Sequence, residues 1–330
     1  MGTKDQLHDL CMDDMLKIFP GSSHPGLAQE MADYLGCHLC SRCTRRFSND
    51  NLFVQLGESV RGKEVVIIQS FYPEPSDNIL EMLMMLDAAR SASAKSVHAV
   101  IPYFSYARSD KKDEPRISIA GRLIADLLET AGADHVMTMT LHSPQVHGFF
   151  SMPTDHLTSQ PLFVDYFRQR DLSNTVIVAP DIGHAKRAAR LARALGTGVA
   201  AGDKERLSDE TVEVARVIGD VKGKDVIVHD DEIATGGSIV ALAERLREDG
   251  AGEITLACTH GVFSGNAIQR LQNVPNIVEI VTTNTVPLPK EKITENMTVL
   301  SVAPIFGEAL RRNIMGQSVG SLFAYWPESV

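Results

Sequence analysis

Short apolar runs bounded by turn residues alternate along the chain with longer segments in which apolar residues recur every three or four positions. Strands buried on both faces of a parallel sheet read as near-continuous apolar runs, and the helices that cover them carry one apolar stripe. The alternation therefore predicts an α/β protein built from mostly parallel sheets flanked by helices. In the first half the clearest strands are 64–69, 97–102 and 135–140, with helices over 77–92 and 119–130. The second half repeats the style, with strands at 175–179, 225–229 and 253–259 and helices over 183–195 and 237–248.

One stretch occurs twice. Arg61-Gly62-Lys63-Glu64-Val65-Val66-Ile67 matches Lys222-Gly223-Lys224-Asp225-Val226-Ile227-Val228, about half the chain away, and each copy leads into a loop, a helix and another strand. Two tandem copies of one α/β domain are the economical reading. The division falls at Leu157-Thr158-Ser159-Gln160-Pro161, giving domains 1–158 and 159–330.

Composition narrows the picture. The chain has 330 residues, 44% hydrophobic and 22% charged, which is ordinary globular usage. Its formal net charge is -10 without any long run of like charges, which argues against a nucleic-acid stripe or a membrane-surface helix. The first residues carry Asp5, Asp9, Asp13 and Asp14 where a secretion signal would be basic and then apolar, so a cytoplasmic protein is expected. Five cysteines argue against a disulfide framework. Cys37, Cys40 and Cys43 form a C-x-x-C-x-x-C run beside His38 but lack a local fourth ligand. Three reduced thiols are the expected reading, and a zinc or iron-sulfur site the alternative.

The chemistry concentrates in Val226-Ile227-Val228-His229-Asp230-Asp231-Glu232-Ile233-Ala234-Thr235-Gly236-Gly237-Ser238. A strand delivers two adjacent carboxylates, and a short turn then opens a helix. Such a turn presents backbone N–H groups and hydroxyls to an anion at a helix N-terminus, with glycine letting the backbone approach closely. The carboxylates suit sugar hydroxyls or a hydrated Mg²⁺. The pattern predicts a site for a phosphorylated sugar.

This segment resembles the phosphoribosyl-diphosphate motif of type I phosphoribosyltransferases, and the rest of the chain, from Lys17 to Phe323, resembles the ribose-phosphate pyrophosphokinase family. The strings that carry the resemblance include Lys17-Ile18-Phe19-Pro20-Gly21-Ser22-Ser23-His24, Phe47-Ser48-Asn49, Pro102-Tyr103-Phe104-Ser105-Tyr106-Ala107-Arg108-Ser109-Asp110-Lys111-Lys112 and Thr259-His260-Gly261-Val262-Phe263-Ser264-Gly265. The resemblance implies two phosphoribosyltransferase-like domains and transfer of the diphosphoryl group of ATP to the 1-hydroxyl of ribose 5-phosphate, with Mg²⁺ as cofactor. It implies Lys204 and Arg206 as catalytic residues in a flexible loop, and Phe47, Asn49, Asn51, Arg108 and Ser109 around ATP. It further implies Asp230, Asp231, Ala234, Thr235, Gly236, Gly237 and Ser238 around ribose 5-phosphate, and His142 and Asp181 as metal ligands. Assembly into a hexamer built from dimers, with Phe47 and Asn49 reaching a neighbouring subunit's nucleotide, and regulation by phosphate or ADP follow from the same resemblance.

The chain departs from the family pattern at Thr140, Ser151 and Ala234, where aspartate is common, and at Asn51, Ser109 and His184, where an acidic residue, glutamine and glycine are common. Fewer carboxylates would weaken the hold on metal or sugar. A non-catalytic paralogue that modulates active subunits and a nucleobase phosphoribosyltransferase are the rival readings.

Overall fold

The computed structural model describes residues 12–206 and 212–323, with side chains described outside 204–214 and 323. The chain begins with α1 (Met12–Met15), β1 (Leu16–Pro20) and α2 (Pro25–Leu35). Local signals set the ends of α2. The His24 ring accepts from the Leu27 N–H, Pro25 occupies the first turn, and Gly36 closes the helix at φ 66°, where a side chain would be strained. An antiparallel hairpin follows, β2 (Arg42–Arg46) with β3 (Leu52–Leu56), and then β4 (Glu64–Ile68), α3 (Pro75–Ser91), β5 (Ser96–Ile101), α4 (Ala120–Ala131), β6 (His135–Met139) and β7 (Thr154–Leu157). The five strands β1-β4-β5-β6-β7 form a fully parallel sheet in that order. Its core includes Phe19, Val65, Ile67, Met82, Met85, Leu86, Val97, Ala99 and Leu128.

The next stretch comprises α5 (Gln160–Phe167), β8 (Thr175–Ala179), α6 (Ala185–Leu195), β9 (Gly198–Arg206), β10 (Val212–Ile218), β11 (Asp225–Ile233), α7 (Gly237–Glu248), β12 (Ile254–Gly261), α8 (Ala267–Gln272), β13 (Ile277–Thr283) and β14 (Met297–Leu300). These strands form a seven-stranded sheet, β10-β9-β8-β11-β12-β13-β14, parallel except for the β9–β10 pair. Successive residues serve opposite faces, as the two-residue period of a strand requires. Val176, Val178, Val226, Val228, Leu256 and Cys258 pack with Ile239, Leu242 and Leu246 of α7. Their neighbours Ile177, Ala179, Ile227, Ala257 and Val281 pack with Phe163 and Phe167 of α5 and Leu191 of α6. A sheet covered on both faces explains why its strands read as unbroken apolar runs.

The chain then forms α9 (Ala303–Ile314). The described residues up to Leu157, together with those from Val302 on, make one compact unit, and Thr158 to Ser301 make the other. The division near 158 expected from sequence is amended in this respect: residues 302–323 lie with the first unit rather than the second. The reason is a contact no local pattern encodes. Helix α9 packs on α2, where the absence of a side chain at Gly307 makes room for the Tyr34 ring, and the Tyr34 hydroxyl donates to Glu308 at 3.3 Å. Among the helices expected from sequence, that over 183–195 begins later, at Ala185, because 182–184 form a tighter 3₁₀ turn. The two copies of the repeated sequence hold equivalent places, β4 between β1 and β5 and β11 between β8 and β12.

The amino ends of the first sheet hold a charged relay. Glu64 accepts from Lys95 at 2.8 Å and from His98 Nε2 at 3.2 Å; His98 meets His135 ring to ring at 3.1 Å, and His135 Nε2 lies 3.1 Å from Asp155. The bond from His98, then those from Lys95, hold the Glu64 carboxyl at about 2 against the opposing effect of burial. A carboxyl whose pKa is depressed on folding stabilises above its unfolded value and loses that contribution as pH falls through the folded one. Glu64→Gln should therefore lower stability at pH 7 by about 1.5–3 kcal/mol, and the gap between variant and parent should shrink from pH 4.5 toward pH 2. Denaturant midpoints measured across that range check it; a gap independent of pH would contradict it.

Candidate sugar-phosphate and metal site

Strand β11 runs through the middle of its sheet and ends in the residues singled out from sequence. Val226, Ile227 and Val228 are buried between the two helical layers, so the strand is fixed before it delivers Asp230 and Asp231 at its carboxyl end. Ligands of open parallel sheets gather at that edge. Asp231 is buried and Asp230 nearly so, and the Asp231 N–H donates to the Asp230 carboxylate at 2.8 Å. The turn that follows is pinned from outside: Ile233 and Ala234 carbonyls accept from the N–H groups of Phe263 (3.0 Å) and Ser264 (2.9 Å). Gly236 sits at φ 75°, a left-handed conformation that suits glycine, and its carbonyl accepts the first bond of α7 from Val240 at 2.9 Å. The N–H groups of Gly237, Ser238 and Ile239 precede that first bond and lie at the positive end of the helix dipole, where an anion is favoured. Thr235 and Gly237 are exposed beside them.

Asp181 follows the neighbouring strand β8 and caps the short 3₁₀ turn, accepting from the His184 N–H at 3.1 Å. It comes together with the β11 acids through a residue that sequence reasoning marked only as a departure. His184 donates through Nδ1 to Asp181 at 2.9 Å, while its Nε2 lies 3.3 Å from Asp231 and 3.8 Å from Asp230. Arg187, one turn along α6, places Nη1 3.6 Å from the other oxygen of Asp231. Burial opposes a charge on His184, but the bonds to Asp181 and Asp231 and the field of Asp230 outweigh it and raise the imidazole to about 10. Burial and the adjacent Asp231 push the Asp230 carboxyl well up. A sugar hydroxyl or a cation arriving at Asp230 would supply the polar contact that burial removes. Burial, reinforced by Arg187, lowers His229 behind the pair to about 4, so it is neutral at pH 7. The sequence signal for His184 and Arg187 was their spacing of three and six from Asp181 at a helix start.

The other expected site residues stand on other segments of the chain. Lys204 and Arg206 were expected in a loop, but their backbone continues β9, paired with Val214 and Val212 of β10; the antiparallel partner strand is what makes it a strand. Their side chains, and residues 207–210 of the expected 202–210 loop, lie outside the described residues. In the first unit Phe47, Asn49 and Asn51 share the tip of the β2–β3 hairpin. Phe47 is 46% exposed, its ring packs on Phe53 at 5.5 Å, and the Arg45 guanidinium lies over both. The Asn51 N–H donates to the Asn49 side chain at 3.3 Å. Arg108 is exposed in the loop after β5; Ser109 follows it, its hydroxyl accepting from the Ala120 N–H at 3.0 Å and so fixing the start of α4. His142 lies in the loop after β6, beyond Thr140, whose backbone has a positive φ of 44°.

The oxygen donors of Asp181, Asp230 and Asp231, converging on one cation, fit what a hard divalent ion such as Mg²⁺ takes. No helix among the described residues is long and apolar enough to cross a membrane.

Comparisons with known proteins bear on the whole chain. Residues 16–132 match the profile of the N-terminal domain of ribose phosphate pyrophosphokinase, and residues 207–324 that of the phosphoribosyl synthetase-associated domain. The ribose-phosphate pyrophosphokinase of Deinococcus radiodurans is 50% identical over 313 residues, covering 93% of this chain and 98% of the relative. That of Caldanaerobacter subterraneus subsp. tengcongensis is 46% identical over 309 residues, covering 93% and 98%. The crystal structure of phosphoribosylpyrophosphate synthetase from Mycobacterium smegmatis superposes with a TM-score of 0.86 at 40% identity, over 92% of this chain and 99% of that one.

Removing the shared cation tests the electrostatics of the site. In His184→Ala the carboxylates of Asp181, Asp230 and Asp231 face one another without the imidazolium, so the variant should melt at a lower temperature at pH 7. Added MgCl₂ should raise its melting temperature more than the parent's, because an ion that binds only the folded state stabilises it by mass action. An equal Mg²⁺ response in both proteins would contradict this account.

Proposed function

The chain belongs to the ribose-phosphate pyrophosphokinase family, and we propose on that footing that it transfers the diphosphoryl group of ATP to the 1-hydroxyl of ribose 5-phosphate, giving 5-phosphoribosyl 1-diphosphate and AMP. The observation that carries the reading to this chain's own residues is the continuity of one structure: two adjacent acids at the carboxyl end of β11 running into a glycine turn that opens α7.

Asp230 and Asp231 accept hydrogen bonds from the ribose hydroxyls, and the N–H groups and hydroxyls from Thr235 to Ser238 receive the 5-phosphate. Ala234 contributes its carbonyl to the anchoring bond with Ser264 rather than a third acid. The 1-hydroxyl of the sugar so held attacks the β-phosphorus of ATP and gives up its proton to solvent, and the bond from the β-phosphorus to the α-side bridging oxygen breaks, releasing AMP. Lys204 and Arg206 stabilise the negative charge that accumulates in that transition state. His142 and Asp181 would hold Mg²⁺, which when bound neutralises charge on the transferring phosphates.

The exposed Phe47 and its hairpin neighbours Asn49 and Asn51, with Arg108 and Ser109, would serve ATP, the hairpin reaching a neighbouring subunit in a hexamer built from dimers. An exposed aromatic at a hairpin tip, backed by Phe53 and Arg45, suits such a contact. Phosphate and ADP would be regulators, and the cytoplasm the setting. Ser109 would act on ATP through its loop, since its hydroxyl is engaged at α4.

Purified protein with Mg²⁺, ATP and ribose 5-phosphate should form AMP and phosphoribosyl diphosphate in equal amounts. Absence of AMP under varied phosphate would reject catalysis in favour of a non-catalytic paralogue, and product that requires a nucleobase would favour a phosphoribosyltransferase. Lys204→Ala should lower turnover about 100-fold or more with a smaller effect on binding, because its contribution belongs to the transition state.

Asp230→Ala or Asp231→Ala should raise the ribose 5-phosphate requirement roughly 10-fold to 150-fold, the equivalent of about 1.5–3 kcal/mol for a hydrogen bond to a charged group. Ala234→Asp should be neutral or helpful. Unchanged affinity in both deletions would show that the sugar lies elsewhere.

A further inference from the structure

The cysteine run sorts differently in space than in sequence. Cys37 is buried with its thiol directed at the Leu35 carbonyl, 3.7 Å away, and Cys43 is exposed on β2 opposite Gln55. Cys40 instead faces two ligand-type side chains that no sequence spacing joins to it. His38 Nε2 lies 3.7 Å from Cys40 Sγ and 3.2 Å from Glu58 Oε1, and ligand atoms of the three residues all lie within 4.8 Å of one another.

The S–N and N–O separations match two edges of a coordination tetrahedron. With metal–sulfur bonds of about 2.3 Å and metal–nitrogen and metal–oxygen bonds of about 2.0 Å, a tetrahedral zinc ion places S and N about 3.5 Å apart and N and O about 3.3 Å apart. We propose that His38, Cys40 and Glu58 bind a thiophilic divalent transition metal of the Zn²⁺ class, with the fourth position open to water. The surroundings suit that role. Asp13 accepts from His38 Nδ1 at 2.7 Å, which turns Nε2 toward the site and makes the carboxylate–histidine pairing that orients metal-binding imidazoles. Lys17 engages Glu58 through Oε2 at 2.9 Å, which leaves Oε1, 3.2 Å from His38 Nε2, outside that ion pair. Cys40 is 2% exposed whereas the His38 side chain is 45% exposed, so an ion enters past the imidazole and meets the thiol last.

Without metal, His38 lies between Asp13 and Glu58, with Nδ1 2.7 Å from Asp13 Oδ1 and Nε2 3.0 Å from Glu58 Oε2. Binding releases the Cys40 thiol proton, and any proton on His38 Nε2, to solvent as the metal bonds form. The soft thiolate selects against Mg²⁺ and Ca²⁺, which separates this site from the oxygen donors of the other unit. A filled site would tie α1 through Asp13, the segment joining α2 to β2, and the segment after β3.

The full-length protein, stripped by chelator and titrated with Co²⁺, tests the proposal. One equivalent should produce intense visible absorption of a tetrahedral ion and a near-ultraviolet thiolate-to-metal charge-transfer band, both displaced by Zn²⁺. Cys40→Ser and His38→Ala should abolish the charge-transfer band, and Cys43→Ser should keep it. Asp13→Asn should weaken affinity about 10–100-fold. If Cys40→Ser does not fold, the Cys43→Ser and Asp13→Asn pair carries the decision. A missing band in the parent, a band that survives Cys40→Ser, one lost in Cys43→Ser, or an affinity unmoved by Asp13→Asn would overturn it.

Discussion

Two adjacent carboxylates at the buried end of a central strand are costly unless the protein supplies their countercharge, and the second unit is organised around supplying it. His184 bridges Asp181 to Asp231 and Asp230, and Arg187 approaches the far side of Asp231. Both cations come from the segment after β8, the strand beside β11, so the parallel pairing of Thr175 with Asp225 through Val178 with Val228 sets where they meet the acids. The two apolar faces of the sheet then hold that register, since a one-residue slip would exchange Val226 and Val228 with Ile227 between layers. The geometry of the acid pair thus begins in the hydrophobic core.

The two sheets put charge to different uses at their two ends. At the amino ends of the first sheet, Glu64, His98, His135 and Asp155 satisfy one another in a closed chain. At the carboxyl end of β11 the acids share cations but stand next to a turn with exposed donors. A polar cluster that completes itself stabilises a fold; one that stops at a helix N-terminus leaves a place for a ligand.

Most strands and helices were legible in the sequence because burial on both faces leaves a local trace, and α7 keeps the predicted 237–248 limits. The glycine turn was legible because Gly236 needs its positive φ and the acids stand directly upstream. Contacts between distant segments left no such trace. The return of α9 to α2 depends on Tyr34 finding Gly307, and the strand character of 204–206 depends on pairing with β10. His184 read as a loss of glycine, although three acids converge on it. The cysteine run drew notice by spacing, yet it is Cys40 alone of the three that joins the His38–Glu58 group.

The central claim is that one strand-turn-helix unit holds the sugar phosphate. The crystal structure of the protein with ribose 5-phosphate bound tests it most directly. The account predicts the phosphate against the backbone from Thr235 to Ser238 at the start of α7 and the ribose hydroxyls on Asp230 and Asp231. A sugar bound with its phosphate away from that turn, or with its hydroxyls free of both acids, would contradict it.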